Sequence, residues 1–172
     1  MVIWIIGIAG SGKTTVSKII YSQIKKKKKE TVLLDGDQIR QVFSNDLKHT
    51  KQDRLTNAKR IRNLCKMLDL QNINVVCAIL SISEKDRLWC RKNFSKYIEV
   101  YIKSDMKQIQ NRGDRKIYYD YDKGLIKNVV GKDIAFEEPQ NPDYIINNNE
   151  TKEMLLNTTN DLIKKFLKKS DI

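Results

Sequence analysis

Near its start the chain carries Gly7-Ile8-Ala9-Gly10-Ser11-Gly12-Lys13-Thr14, a full match to the pattern G-x-x-x-x-G-K-[ST]. Glycines let such a segment curl until consecutive N–H groups point inward, and a helix N-terminus behind them favours an anion. The spacing predicts a cradle for the phosphates of ATP·Mg²⁺ formed by Gly7, Ala9, Gly10, Ser11, Gly12, Lys13, Thr14 and Thr15. Lys13 is placed to reach the β- and γ-phosphates, and the Thr14 hydroxyl to complete the Mg²⁺ shell. A second cluster, Asp35-Gly36-Asp37 with Arg40 one turn further on, follows an apolar run. One carboxylate there can order a magnesium-bound water and the other can accept a proton from an attacking hydroxyl. Asp37 is also placed to cap the helix that follows, a role compatible with the first.

The elements that must position these groups alternate along the chain. Apolar strand-like runs at 2–6, 31–34, 74–80, 98–102 and 144–146 are separated by helical patterns near 13–28, 37–43, 51–71, 84–95, 105–112 and 151–168. This order predicts an α/β, three-layer P-loop NTPase fold in one domain, with a five-stranded parallel sheet and helices on both faces. Ligands of such sheets sit at the carboxyl ends of the strands, where the glycine loop and both aspartates fall. The segment 113–142, with three glycines, three tyrosines and Pro139 and Pro142, fits neither pattern and is expected to be a lid or substrate loop. The third run ends at Ser81 with no acid, which argues against motor-type and ABC-type ATPases. No Asn-Lys-x-Asp supports guanine, so a small-molecule kinase fits best.

Composition narrows the rest. The 172 residues carry a formal charge of +12 and a pI of about 9.6, which suits an anionic partner. Lysine far exceeds arginine and no basic stripe is interleaved with aromatics, so nucleic acid is not expected. The run Lys25 to Lys29 complements the C-terminal end of a helix dipole. Cys65, Cys77 and Cys90 form no CxxC pair and His49 is the single histidine, so zinc is not expected and a reducing, cytoplasmic setting is. No apolar run approaches the ~20 residues of a membrane span. The opening apolar residues lack a basic n-region, so they read as a buried strand rather than a signal sequence.

The motifs together resemble the adenylyl-sulfate kinases, P-loop enzymes that phosphorylate the ribose 3′-hydroxyl of adenylyl sulfate. The similarity runs from the glycine loop to Pro142. The family's L-D-G-D-x-x-R stands as Leu34-Asp35-Gly36-Asp37-Gln38-Ile39-Arg40, and its D-R-x-x-N as Asp53-Arg54-Leu55-Thr56-Asn57. The block R-D-x-K-G-L-Y corresponds to Arg112 through Tyr118, with Arg115 for the lysine, and G-x-I-x-x-x-x-G-x-D to Gly124 through Asp133. The resemblance implies that Asp37 is the general base, with Asp35 and Thr14 toward the metal. It implies that Arg40, Arg54 and Asn57 hold the acceptor nucleotide beside Leu80, Ser81 and Asn128. Arg115 would reach the phosphates from the lid, and Arg112 the ATP base. A homodimer is one assembly the resemblance leaves open.

The departures from the family fall on the acceptor side. Two phenylalanines that clamp the acceptor adenine are His49 and Val129 here, and S-P-Y/F-R has become Ser81-Ile82-Ser83-Glu84. A stacked aromatic contact is worth ~0.5–1.5 kcal/mol, so a changed clamp points to a changed acceptor. The chain resembles the cytidine diphosphoramidate kinases of capsule phosphoramidate synthesis, whose acceptor carries a single-ring base. Cytidine diphosphoramidate is the leading expected acceptor, and adenylyl sulfate the runner-up.

Overall fold

The computed structural model describes residues 1–112 and 116–169, without the side chains of 167–169. Five parallel strands, β1 (Val2–Ile6), β2 (Thr31–Asp35), β3 (Asn74–Ile79), β4 (Tyr97–Lys103) and β5 (Tyr144–Asn147), lie in the order β2-β3-β1-β4-β5. Helices α1 (Lys13–Lys27), α2 (Gly36–Val42), α3 (Lys51–Leu70), α4 (Glu84–Asn93), α5 (Met106–Asn111), α6 (Lys116–Asp122) and α7 (Lys152–Lys169) connect or follow them.

All five residues of β1 are buried because this central strand is covered on both faces. Its side chains alternate between two cores. Val2, Trp4 and Ile6 join Ile61, Cys65, Cys77 and Cys90 on the face of α3 and α4. Ile3 and Ile5 join Val16, Ile20, Leu162 and Phe166 on the face of α1 and α7. Each such side chain contributes ~1.5–3 kcal/mol on burial, which makes β1 a rigid base for the loop after it. The three cysteines are free and buried. Among the described residues no helix is long and apolar enough to cross a membrane.

Strand and helix limits fall within about two residues of the sequence expectation, and two features differ from it. Asp35, not Asp37, caps α2: its Oδ1 accepts from the Asp37 N–H at 2.9 Å. The segment after 113 is not irregular throughout, since it holds α6, whose Tyr118 is wholly buried and donates its hydroxyl to Ala9 O at 2.9 Å. A helix this short lacks enough local hydrogen bonds to stand alone, and tertiary anchoring through Tyr118 supplies what its sequence pattern does not. Further along, Gly131 turns the chain at φ 89° so that Val130 and Ile134 bridge.

Candidate active site

The glycine loop sits between the C-terminal end of β1 and the start of α1. A Cβ on Gly7 would lie 2.6 Å from Ile102 O, and Gly12 has φ +103° with Asn148 Nδ2 2.7 Å from where its Cβ would be. Both positions therefore exclude a side chain. Lys13 Nζ donates to Ile8 O at 2.7 Å, which holds the ammonium over the loop. Thr14 Oγ1 donates to Asp35 Oδ2 at 3.3 Å. A hydroxyl and a carboxylate meeting at a phosphate loop are the oxygen donors a hard divalent cation takes, directly or through water, so these two residues fit Mg²⁺.

These groups open into a cavity of about 450 Å³. Of the residues the sequence nominated, it brings together Ala9, Lys13, Thr14, Asp35, Asp37, His49, Arg54, Leu80 and Val129. Asp35 is committed through both oxygens, to Thr14 and to the Asp37 N–H. Asp37, by contrast, is exposed, and its carboxylate takes no hydrogen bond from a described residue. It is the carboxylate of the pair left uncommitted among the described residues.

Arg54 organises the opposite wall. Its Nε donates to His49 O at 2.9 Å and its Nη2 to Asn128 O at 2.8 Å, so one side chain joins two walls of the cavity. Asn128, at φ 67°, and Val129 donate their N–H groups to the Asp133 carboxylate at 2.7 and 2.6 Å. Those backbone donors hold the Asp133 carboxyl below its ordinary range. Burial, then the charges of Arg54 and Arg40, lower the His49 pKa against an opposing pull from Asp37 and Asp53. The imidazole is accordingly neutral near pH 7, available to stack on or hydrogen-bond a base.

Other nominated residues stand behind this wall or beside it. Arg40 is buried and donates to Leu47 O and Lys48 O, propping the turn that carries His49. Asn57 Nδ2 donates to Gly36 O at 3.4 Å, while Asn57 Oδ1 and Ser81 Oγ are buried without a hydrogen-bond partner among the described residues. Arg112 Nη2 donates to Asn148 O and Glu150 O, toward the far side of the glycine loop. Arg115 lies outside the described residues.

Residues that the sequence reading did not nominate for the site also reach the cavity. Lys116 and Ile117 enter it from the start of α6, and Gly36, Ala78 and Val130 complete the lining. Lys116 makes no hydrogen bond or ion pair with a described residue, so its ammonium is a cation available to the cavity. Arg87, wholly buried, pairs with Glu84 and donates to Ser81 O at 2.8 Å and Glu137 O at 2.7 Å, which fixes the end of β3. The i, i+3 spacing of Glu84 and Arg87 was the available sequence signal.

Comparison with known proteins agrees with this geometry. Residues 1–147 match the adenylylsulphate kinase family. The chain is 34% identical over 147 residues to the cytidine diphosphoramidate kinase of Campylobacter jejuni, covering 86% of this chain and 85% of that one. It is 35% identical over 141 residues to the adenylyl-sulfate kinase of Halothermothrix orenii, covering 82% and 76%. The Mycobacterium tuberculosis APS kinase, solved in complex with AMPPNP and APS, shares the fold with a TM-score of 0.84 at 22% identity over 96% of each chain. A complete phosphate loop, a carboxylate pair beside it and this similarity lead to one statement: the chain belongs to the adenylylsulphate kinase family and is an ATP-dependent phosphotransferase.

Proposed function

We propose that the chain transfers the γ-phosphoryl group of ATP to the ribose 3′-hydroxyl of cytidine diphosphoramidate, in the cytoplasm, as a step of capsule phosphoramidate synthesis. The observation that carries this reading is the acceptor wall. His49, Ile117 and Val129 line it, one imidazole and two aliphatic side chains in place of a pair of aromatic rings. A small wall of this kind suits a single-ring base. The first relative named above, a cytidine diphosphoramidate kinase, supports the same choice.

In this mechanism the backbone amides of Gly10 to Thr14 and the Lys13 ammonium hold the transferred phosphoryl group, and Arg112 borders the ATP base. Thr14 and Asp35 would hold Mg²⁺, which would offset charge on the phosphate oxygens. Asp37 accepts the 3′-hydroxyl proton as that oxygen bonds to the γ-phosphorus, and the bond to the bridging oxygen of ADP breaks. Arg54 and Lys116 face the anionic part of the acceptor, and Arg115, outside the described residues, is assigned to the phosphates by the family resemblance alone. The lid assigned to 113–142, described from residue 116 on, excludes water during transfer.

Adenylyl sulfate is the second reading, favoured by relatives such as the Halothermothrix orenii enzyme. ADP release measured with cytosine and adenine conjugates separates the two. Higher kcat/KM on the cytidine diphosphate conjugate is expected. A tenfold or greater preference for adenylyl sulfate overturns the cytidine reading.

A further inference from the structure

A phosphate cradle needs its N–H groups turned inward, and the planar peptide bond sets what that requires. In a trans peptide the carbonyl of one residue and the N–H of the next point in opposite directions. Turning an N–H toward the phosphates therefore turns the preceding carbonyl outward, where it needs a donor of its own. Two outward carbonyls of this loop receive side-chain donors from distant elements. Ala9 O accepts from the Tyr118 hydroxyl of α6, and Ser11 O accepts from Asn148 Nδ2 at 2.9 Å.

Asn148 is the more constrained of these tethers. It follows β5 directly, is 5% exposed, and its N–H donates to Lys103 O at 2.8 Å. Its own carbonyl accepts from Ser104 Oγ at 2.7 Å and from Arg112 Nη2 at 2.6 Å. Among the described residues, the other side-chain donor to Ser11 O is Ser104 Oγ at 3.5 Å, a weak contact. A carbonyl facing the amide leaves one tolerable orientation, with the NH₂ end toward Ser11. Gly12 then fits because its missing Cβ leaves room for that NH₂ group.

From this arrangement we infer that Asn148 is a positioning residue for nucleotide binding. It holds the Ser11 carbonyl outward, and so aims the Gly12 N–H into the phosphate cradle. Through its backbone carbonyl it also ties that loop to Arg112. The role concerns the nucleotide side alone and holds whichever acceptor the enzyme uses.

The test compares Asn148→Ala and Asn148→Asp with the unmodified enzyme, reading ADP affinity by calorimetry and the KM of ATP and of the acceptor by kinetics. Asn148→Ala is expected to weaken ADP binding and raise the ATP KM about five- to tenfold, roughly the worth of one buried hydrogen bond. The acceptor KM should stay within about twofold. Asn148→Asp keeps the shape but sets a carboxylate against a carbonyl. Its ADP affinity should be poorer still at pH ~8 and recover toward pH ~5.5, because a protonated carboxyl regains a donor and burial raises its pKa. Unchanged ADP affinity in Asn148→Ala, or equal rises in both KM values, overturns the inference. Should Asn148→Ala fail to fold, the pH series decides, and an Asn148→Asp profile parallel to the unmodified enzyme overturns it equally.

Discussion

The two halves of the cavity are built on different principles. On the nucleotide side, Gly7 to Gly12 is one continuous loop between β1 and α1, Lys13 and Thr14 open the helix, and backbone geometry shapes the cradle. On the side proposed for the acceptor, the wall comes from four separate segments: the turn with His49, Arg54 on α3, Lys116 and Ile117 on α6, and Val129. Side chains, not backbone, define that half. Backbone geometry tolerates few substitutions, whereas a wall of separate side chains changes one residue at a time. On the proposed reading, a change of acceptor would need substitutions in the second half alone.

The contrast is sharpened by substitutions whose effects should stay on one side. The largest expected effect is at the boundary between the halves. Asp37→Asn should lower kcat by roughly two to four decades while leaving ATP affinity little changed. Comparable losses in both, by kinetics and nucleotide titration, would assign Asp37 to the metal or to structure instead. Lys13→Ala should reduce kcat by roughly two to three decades with an unchanged thermal midpoint, since its ammonium meets the transferred phosphoryl group. Retention of more than about a tenth of the activity, ~1.4 kcal/mol or less, would remove Lys13 from that role.

On the acceptor side the expected effects are smaller. Lys116→Met should raise the acceptor KM about tenfold, the loss of one charge-assisted contact, and leave the ATP KM alone. A rise in the ATP KM would place Lys116 on the nucleotide instead. His49→Phe should improve adenylyl sulfate relative to a cytidine conjugate by up to about tenfold, through one stacked ring. Val129 is a poorer place for the second ring. It is 2% exposed and packs with Ile109 and Tyr118, so Val129→Phe should cost ~1–3 kcal/mol of stability by overpacking. A thermal midpoint equal to that of the unmodified chain would show that this cluster yields.

The subtlest effect is dynamic. If the segment closes as a lid, amides between 116 and 130 should exchange more slowly in a complex with a non-hydrolysable ATP analogue and the acceptor than in the free protein. Equal protection in both states would leave that wall rigid, and the comparison would then rest on side chains alone.

What the sequence determined by itself is local. The β1 run, the glycine loop and the start of α1 are adjacent in the chain, and their chemistry follows from residue type and spacing over about fifteen residues. The strand-helix alternation is legible for the same reason, because periodicity needs only neighbouring residues. The α2 cap shows the limit even at short range: Asp35 and Asp37 lie two residues apart, and only the backbone path decided that Asp35 takes the role. The wall proposed for the acceptor and the tethers of the loop were decided by tertiary structure. Arg54 reaches Asn128 across 74 residues, and Asn148 reaches Ser11 across 137. Arginine and asparagine have no periodic signature, and the acceptors they satisfy are backbone carbonyls, which every residue carries. A short helix such as α6 belongs with them, since it is held by the burial of Tyr118 rather than by its own propensity.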